Sequence, residues 1–223
     1  MEREQLMTEL RKKEDSKVYA ELGYRDNSVI PLLIEIMETE KTAVKYQAEK
    51  AVRKISEERP AMLLPYGDRL IGLLDSENNF IKWGMLLTLP GLLEAGGRDI
   101  WGKMRAKYLL SFRSQQVAEF GNAVSCVGKI LKVCPEEETT IIPLLLNIDG
   151  HTFLHHGVPS LECRNVAKGH ILECFLEQFP DSAYREEMAA FAERNLENDR
   201  KQVCARARRL MKLAQPGTGR CTR

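Results

Sequence analysis

The chain has 223 residues, 43% hydrophobic and 29% charged, with a net charge of +1 at pH 7. That length and balance allow a full hydrophobic core in one or two domains and exclude a disordered polyelectrolyte. The longest apolar runs, MLLTLPGLL from Met85 and IIPLLLNI from Ile141, are far too short for a membrane helix, which needs about 18 residues or more.

In chain order, the N-terminal MEREQLMTELRKKED is charged rather than signal-like, and the amphipathic stretch 1–22 is expected to be a capping helix. Short apolar helices then alternate with second helices. SVIPLLIEIM (28–37) precedes VKYQAEKAVRKISEERP (44–60), in which Val44, Ala48, Ala51, Val52 and Ile55 make one apolar face. AMLLPYGDRLIGLL (61–74) precedes IKWGMLLTLPGLLEAGG (81–97), and RDIWGKMRAKYLLSF (98–112) precedes EFGNAVSCVGKILKVCP (119–135). EETTIIPLLLNI (137–148) precedes RNVAKGHILECFLEQFP (164–180), and DSAYREEMAAFAERNL (181–196) precedes a last helix ending at Ala214. These second-helix copies run into a Pro or Gly that stops them. Ser28 and Asp181 are expected N-caps, because their side-chain oxygens can accept from free first-turn amides. No run alternates apolar and polar residues as a half-buried strand would, so an all-α chain is expected. QPGTGRCTR (215–223) reads as a frayed polar tail.

The copies are set in register by Ile55, Leu92, Ile130, Phe175 and Leu210, which are 37, 38, 45 and 35 residues apart. That is the spacing of two-helix solenoid repeats. The pattern resembles the HEAT-like repeat superfamily, and LDSENNFIKWG (74–84) and LECRNVAKGHILE (161–173) resemble stretches of small prokaryotic HEAT-like proteins. The resemblance implies a right-handed α-α superhelix of about five antiparallel helix pairs plus an N-terminal capping helix. Its second helices would line a concave face, in a single domain over 1–214 with a flexible tail at 215–223.

Three stretches are candidates for function. Glu77, Asn78, Asn79, Lys82 and Trp83 sit where the second repeat turns into its inner helix. Asn78 or Asn79 can cap that helix and Trp83 can fill a gap between repeats; alternatively Asn79, Lys82 and Trp83 present hydrogen bonds, a charge and a flat apolar face to a partner. On the helix after Ser160, Cys163, His170 and Cys174 fall within about 20° of one line, a stripe suited to burial. Cys163 and His170 are too far apart along it to share an ion, although His170 and Cys174 with His155 or His156 have metal-ligand chemistry. Arg164, Asn165 and Lys168 occupy the other side, either as a partner-binding patch or as a ladder bonded to neighbouring loops. DGHTFLHHGVP (149–159) accounts for the long 45-residue interval and is expected to pack on the body, although His151 and His155 would share one side of a helical turn.

Charge is uneven. Residues 198–223 hold eight basic residues against Asp199 alone, so this end carries +7 and the remainder −6. The basic residues can be the polar outer face of a terminal helix or a surface for an anionic partner. Six cysteines, Cys126, Cys134, Cys163, Cys174, Cys204 and Cys221, lack a CxxC pair and are expected to be reduced thiols. There is no phosphate-binding glycine loop, GxSxG elbow or HExxH motif.

The sequence therefore leads us to expect a cytoplasmic, non-enzymatic scaffold without cofactor or metal. It would bind a peptide or protein along its concave face through Asn79, Lys82, Trp83, Arg164, Asn165 and Lys168. The alternative is a nucleic-acid-binding protein of the alkylpurine DNA glycosylase type. Trp83, Trp101 and Asp99 supply residue types for it, but regularly repeated Arg and Lys to track two phosphate strands are missing.

Overall fold

The first two helices, α1 (Arg3–Arg11) and α2 (Ser16–Arg25), turn back on each other through Lys13, whose φ is +55°. Buried Tyr19 fixes that turn by accepting from the Glu14 amide at 2.8 Å and donating to the Glu9 carbonyl at 3.1 Å. The computed structural model describes residues 1–215, so Cys221, Arg220, Arg223 and, beyond Gln215, the tail expected over 215–223 lie outside the described residues. The chain divides into two compact units, Met1–Tyr108 and Leu109–Arg223.

In the first unit α3 (Val29–Thr39) packs on α4 (Val44–Glu58), burying Ala48, Ala51, Val52 and Ile55 as the periodicity predicts. Ser28 stands before α3, but its side chain caps nothing; instead the Asp26 carboxylate accepts from the Ser28 amide at 3.0 Å. The helix expected over 61–74 is broken up. Pro60 and Pro65 leave no amide for i→i−4 bonds, so 60–66 winds as a 3₁₀ turn and only α5 (Gly67–Gly72) is α-helical. Then α6 (Asn79–Ser111) runs through two helices joined at Gly97, whose φ of +57° and ψ of −146° suit glycine alone. Gly84 and Gly91 bring its first half against α4, where a Cβ at Gly91 would lie 2.8 Å from the Ser56 carbonyl oxygen. Pro90, inside that half, deprives the Leu86 carbonyl of its helical donor, and the buried Tyr108 hydroxyl donates to it at 2.9 Å.

In the second unit, the helix expected over 119–135 is split into α7 (Val117–Val124) and α8 (Val127–Val133). The Ser125 hydroxyl donates to the Asn122 carbonyl at 2.8 Å, and the Cys126 amide makes a tight i→i−3 bond to Ala123. After α9 (Glu138–Leu146) comes a short hairpin that periodicity did not predict, β1 (Leu154–His155) and β2 (Val158–Pro159). His156 and Gly157 at its tip both have positive φ, the two-residue turn that matches strand twist. Ser160 caps α10 (Leu161–Gln178) by accepting from the Cys163 amide at 3.2 Å. Helix α11 (Arg185–Glu193) starts later than expected, so Asp181 is not its cap; the Ser182 hydroxyl accepts from the Tyr184 amide ahead of it. Both α10 and α11 pack on α12 (Lys201–Ala214).

Ile55, Leu92, Ile130, Phe175 and Leu210, the five register positions, are all fully buried. Ion pairs recur at nearly the repeat spacing. In the first unit Arg69 grips Glu38 with two bonds of 3.0 and 2.6 Å, while Lys103 pairs with Asp68 and Lys107 with Asp75. In the second, Arg200 pairs with Glu162 and Arg206 with Glu173. Being largely exposed, each contributes at most about 1 kcal/mol, so the apolar seams hold the helices together and the ions set their register.

Candidate binding surfaces

The polar stretch before α6 builds one surface of the first unit. The Asn78 side chain caps the helix by accepting from the Ile81 amide at 3.2 Å, while its Nδ2 donates to the Tyr46 hydroxyl at 3.2 Å. Capping thus falls to Asn78, and Asn79 stands exposed in the first turn. Next to it Phe80 is 63% exposed, its ring edge-on to Tyr46 at 5.5 Å and to Trp83 at 5.3 Å. The Lys45 ammonium lies 5.6 Å from the centre of the Tyr46 ring. Trp83 is half-buried, yet its indole Nε1 is buried without a hydrogen-bond partner. Lys82 is half-buried as well; at about 200° from Phe80 around the helix, it belongs to a different face from the rings.

Behind these rings sits Glu49 on α4, 7% exposed. Its Oε1 lacks a hydrogen bond and has only the Arg53 Nε at 3.5 Å, an ion pair without hydrogen-bond geometry. Burial pushes its pKa up, and Arg53 and Lys50 offset this in part. Gly84 makes room for it, since a Cβ there would strike the carboxylate.

The second unit treats its candidates differently. Asn165 is 4% exposed and its Oδ1 accepts from Asn198 Nδ2 at 3.0 Å; the same amide reaches Asn195 Oδ1 at 3.3 Å, and Asn195 in turn donates to the Phe191 carbonyl. Asn165 is therefore one rung of a ladder between α10 and the turn before α12. Lys168 pairs with Asp149 at 2.7 Å, its side chain largely covered. Arg164 is half-buried, and its Nε is buried with no hydrogen-bond partner. Asn79 and Trp83 thus lie at the aromatic cluster and Lys82 on another face of the same helix, whereas Asn165 and Lys168 are committed to contacts inside their own unit.

Of the four histidines, His151 and His170 pack on the body and His155 and His156 are exposed. His151 donates from Nε2 to the Ser114 carbonyl oxygen at 2.9 Å. Its ring lies against Phe153 and Phe120. His155 and His156 touch ring to ring on the exposed hairpin. His170 faces Gly121, and burial together with the Arg206 charge lowers its pKa. Cys174 is buried and its thiol pKa is raised by that burial. Among the described residues no three His, Cys, Asp or Glu side chains are grouped to hold a metal ion. An open cleft of about 420 Å³ beside Gly128 gathers Glu138, Glu177 and Asp181.

Sequence reasoning missed Tyr46, Glu49 and Phe80. The signal for Tyr46 and Glu49 was their helical spacing with Arg53 at i, i+3 and i+7, which puts all three on one face. Phe80 sat among Asn and Lys residues in a corner, where a large apolar side chain has no core to enter.

No protein-family model matches the sequence, and no curated protein matches it. Among solved structures the chain is similar to "Designed armadillo repeat protein YIII(Dq)4CqI", with a TM-score of 0.56 at 16% identity over 96% of this chain and 94% of that one. It is also similar to "Designed armadillo repeat protein YIII(Dq.V1)4CPAF in complex with peptide (KR)4", at 0.52 and 14% over 95% and 99%. A third is described as "computationally designed armadillo repeat proteins for modular peptide recognition", at 0.52 and 15% over 95% and 99%. The fold is thus an all-α, armadillo/HEAT-like α-solenoid, the architecture that the helix-pair spacing predicts. Among the described residues no helix is long and apolar enough to cross a membrane.

Proposed function

We propose that the chain is a non-enzymatic scaffold that holds a peptide or protein partner along the face made by its second helices. The observation that carries this reading is the exposed Phe80, set between Tyr46 and Trp83 beside an indole N–H with no acceptor. Exposed aromatics with unmet hydrogen bonds are the ingredients of an interface hot spot. Peptide binding by designed armadillo proteins, named in two of the similar structures, supports it by analogy of fold. Of the residues singled out by sequence, Asn79 and Trp83 are the proposed contacts at this surface. Lys82 is proposed at its margin and Arg164 as a separate partner contact on the second unit, whereas Asn165 and Lys168 act by holding their helix in place.

The nucleic-acid alternative loses support, because Lys168, Arg200 and Arg206 are in ion pairs with Asp149, Glu162 and Glu173 rather than ranged as a bare cationic stripe. The test is affinity capture with the full chain beside Trp83→Phe and Phe80→Ala variants, with nuclease-treated samples in parallel. A named protein retained by the parent, lost by the variants and rebound when purified supports the scaffold. Nuclease-sensitive material as the retained species refutes it.

A further inference from the structure

The face of the first unit that carries the aromatic cluster also has a sign. On α4, Tyr46, Lys50 and Arg53 follow one another at i, i+4 and i+7, with Glu49 beside them. Lys45 reaches over Tyr46, and Lys50 is exposed. The anion among them, Glu49, is buried and paired with Arg53, so Lys45 and Lys50 give this stretch of α4 its outward cationic character. On α6, Phe80, Trp83, Gly84 and Leu87 follow at i, i+3, i+4 and i+7, and the unpartnered group there is a donor.

An apolar anchor, cations at its edge and a donor without an acceptor define the complement. Resting on the scaffold reading above, we propose that this face docks an acidic segment of a partner protein carrying a large apolar side chain. The apolar side chain lies against Phe80, the partner's carboxylates face Lys45, Lys50 and Arg53, and a carbonyl or carboxylate oxygen takes the Trp83 indole N–H. That N–H is buried, so binding includes a side-chain rearrangement that brings it to the partner's oxygen. A basic segment would face like charges at Lys45 and Lys50. A nucleic-acid strand would stack on the rings but would meet only these few cations.

The test pans random twelve-residue peptides displayed on phage against the full chain and against Phe80→Ala, a change at an exposed side chain that leaves the fold intact by circular dichroism. Peptides enriched on the parent and not on the variant should be net acidic with at least one large apolar residue. A synthetic peptide from that set should bind at least about tenfold more weakly to Phe80→Ala. Its binding should also weaken in Lys45→Glu/Lys50→Glu and with added salt, and should shift the Trp83 indole N–H resonance of the parent. Phe80-dependent peptides that are net basic would overturn the acidic assignment while leaving the scaffold reading standing. No Phe80-dependent enrichment at all would overturn both at this surface. A twenty-nucleotide single strand that displaces the peptide and binds more tightly would replace the protein partner with nucleic acid.

Discussion

The Pro90–Leu86–Tyr108 arrangement makes a quantitative claim. Pro90 has no N–H, so the Leu86 carbonyl lacks its helical donor, and the Tyr108 hydroxyl supplies one at 2.9 Å in a fully buried setting. Tyr108→Phe keeps the ring and opens no cavity, but leaves a buried carbonyl unsatisfied, which costs about 1–3 kcal/mol. Pro90→Ala returns a backbone N–H to the same carbonyl. In that background Tyr108→Phe should cost about 0.5 kcal/mol or less, since the acceptor already has a partner, and the coupling in the double-mutant cycle should be about 1–2 kcal/mol. The four proteins are compared by urea unfolding followed by far-UV circular dichroism, with the m-values checked for constancy. An equal loss on Tyr108→Phe in both backgrounds would refute the idea that the tyrosine repairs the proline.

Three further outcomes follow from the packing. Gly91→Ala should destabilise by about 1–3 kcal/mol despite alanine's better helix propensity, because the new Cβ meets the Ser56 backbone. Gly102→Ala in the helix beyond Gly97, with nothing within 4 Å, should stabilise by about 0.5–1 kcal/mol, and thermal melts of the two variants decide whether close approach or propensity governs each site. Asn165→Ala removes the acceptor of Asn198 and should lower stability by about 1–2 kcal/mol in chemical denaturation, whereas a patch that served only a partner would leave it unchanged. His170 has a folded pKa depressed below 6.5, so the unfolded chain takes up protons first as the solution is acidified. Its contribution is complete above about pH 6.5 and is lost as pH falls from there through the folded pKa; His170→Gln should flatten the stability profile between pH 7 and 5, and an unchanged slope would discount the histidine.

The helix-pair spacing was legible because a buried helical face imposes a period that survives loops of unequal length; Ile55 and Leu210 lie at opposite ends of the count and both are fully buried. What the period could not reveal were breaks made by single groups. Pro60 and Pro65 tighten a turn into 3₁₀ geometry, and α7 parts from α8 at Ser125, whose hydroxyl donates to the Asn122 carbonyl. The hairpin escaped because two-residue strands are too short to show alternation, although His156-Gly157 had the turn chemistry. At the candidate surfaces, residue type was informative and commitment was not. Which of Asn78 and Asn79 caps the helix was decided only by folding, and Asn165 and Lys168 found partners 33 and 19 residues away that no local pattern identifies.

The hairpin has a practical consequence for anyone rebuilding this chain. Its base is latched by the Leu154 amide on the Gln115 carbonyl at 2.9 Å, by His151 on Ser114, and by Phe153, which is fully buried against Phe120. Its tip, by contrast, is exposed, and among the described contacts nothing but the other histidine touches His156. Foreign sequence spliced between His156 and Gly157 would therefore lengthen a loop whose ends stay pinned, at an entropic cost of roughly 0.6 kcal/mol per doubling of length. The insertion that sets this repeat apart from the others is thus a ready port for a fluorophore or a second domain.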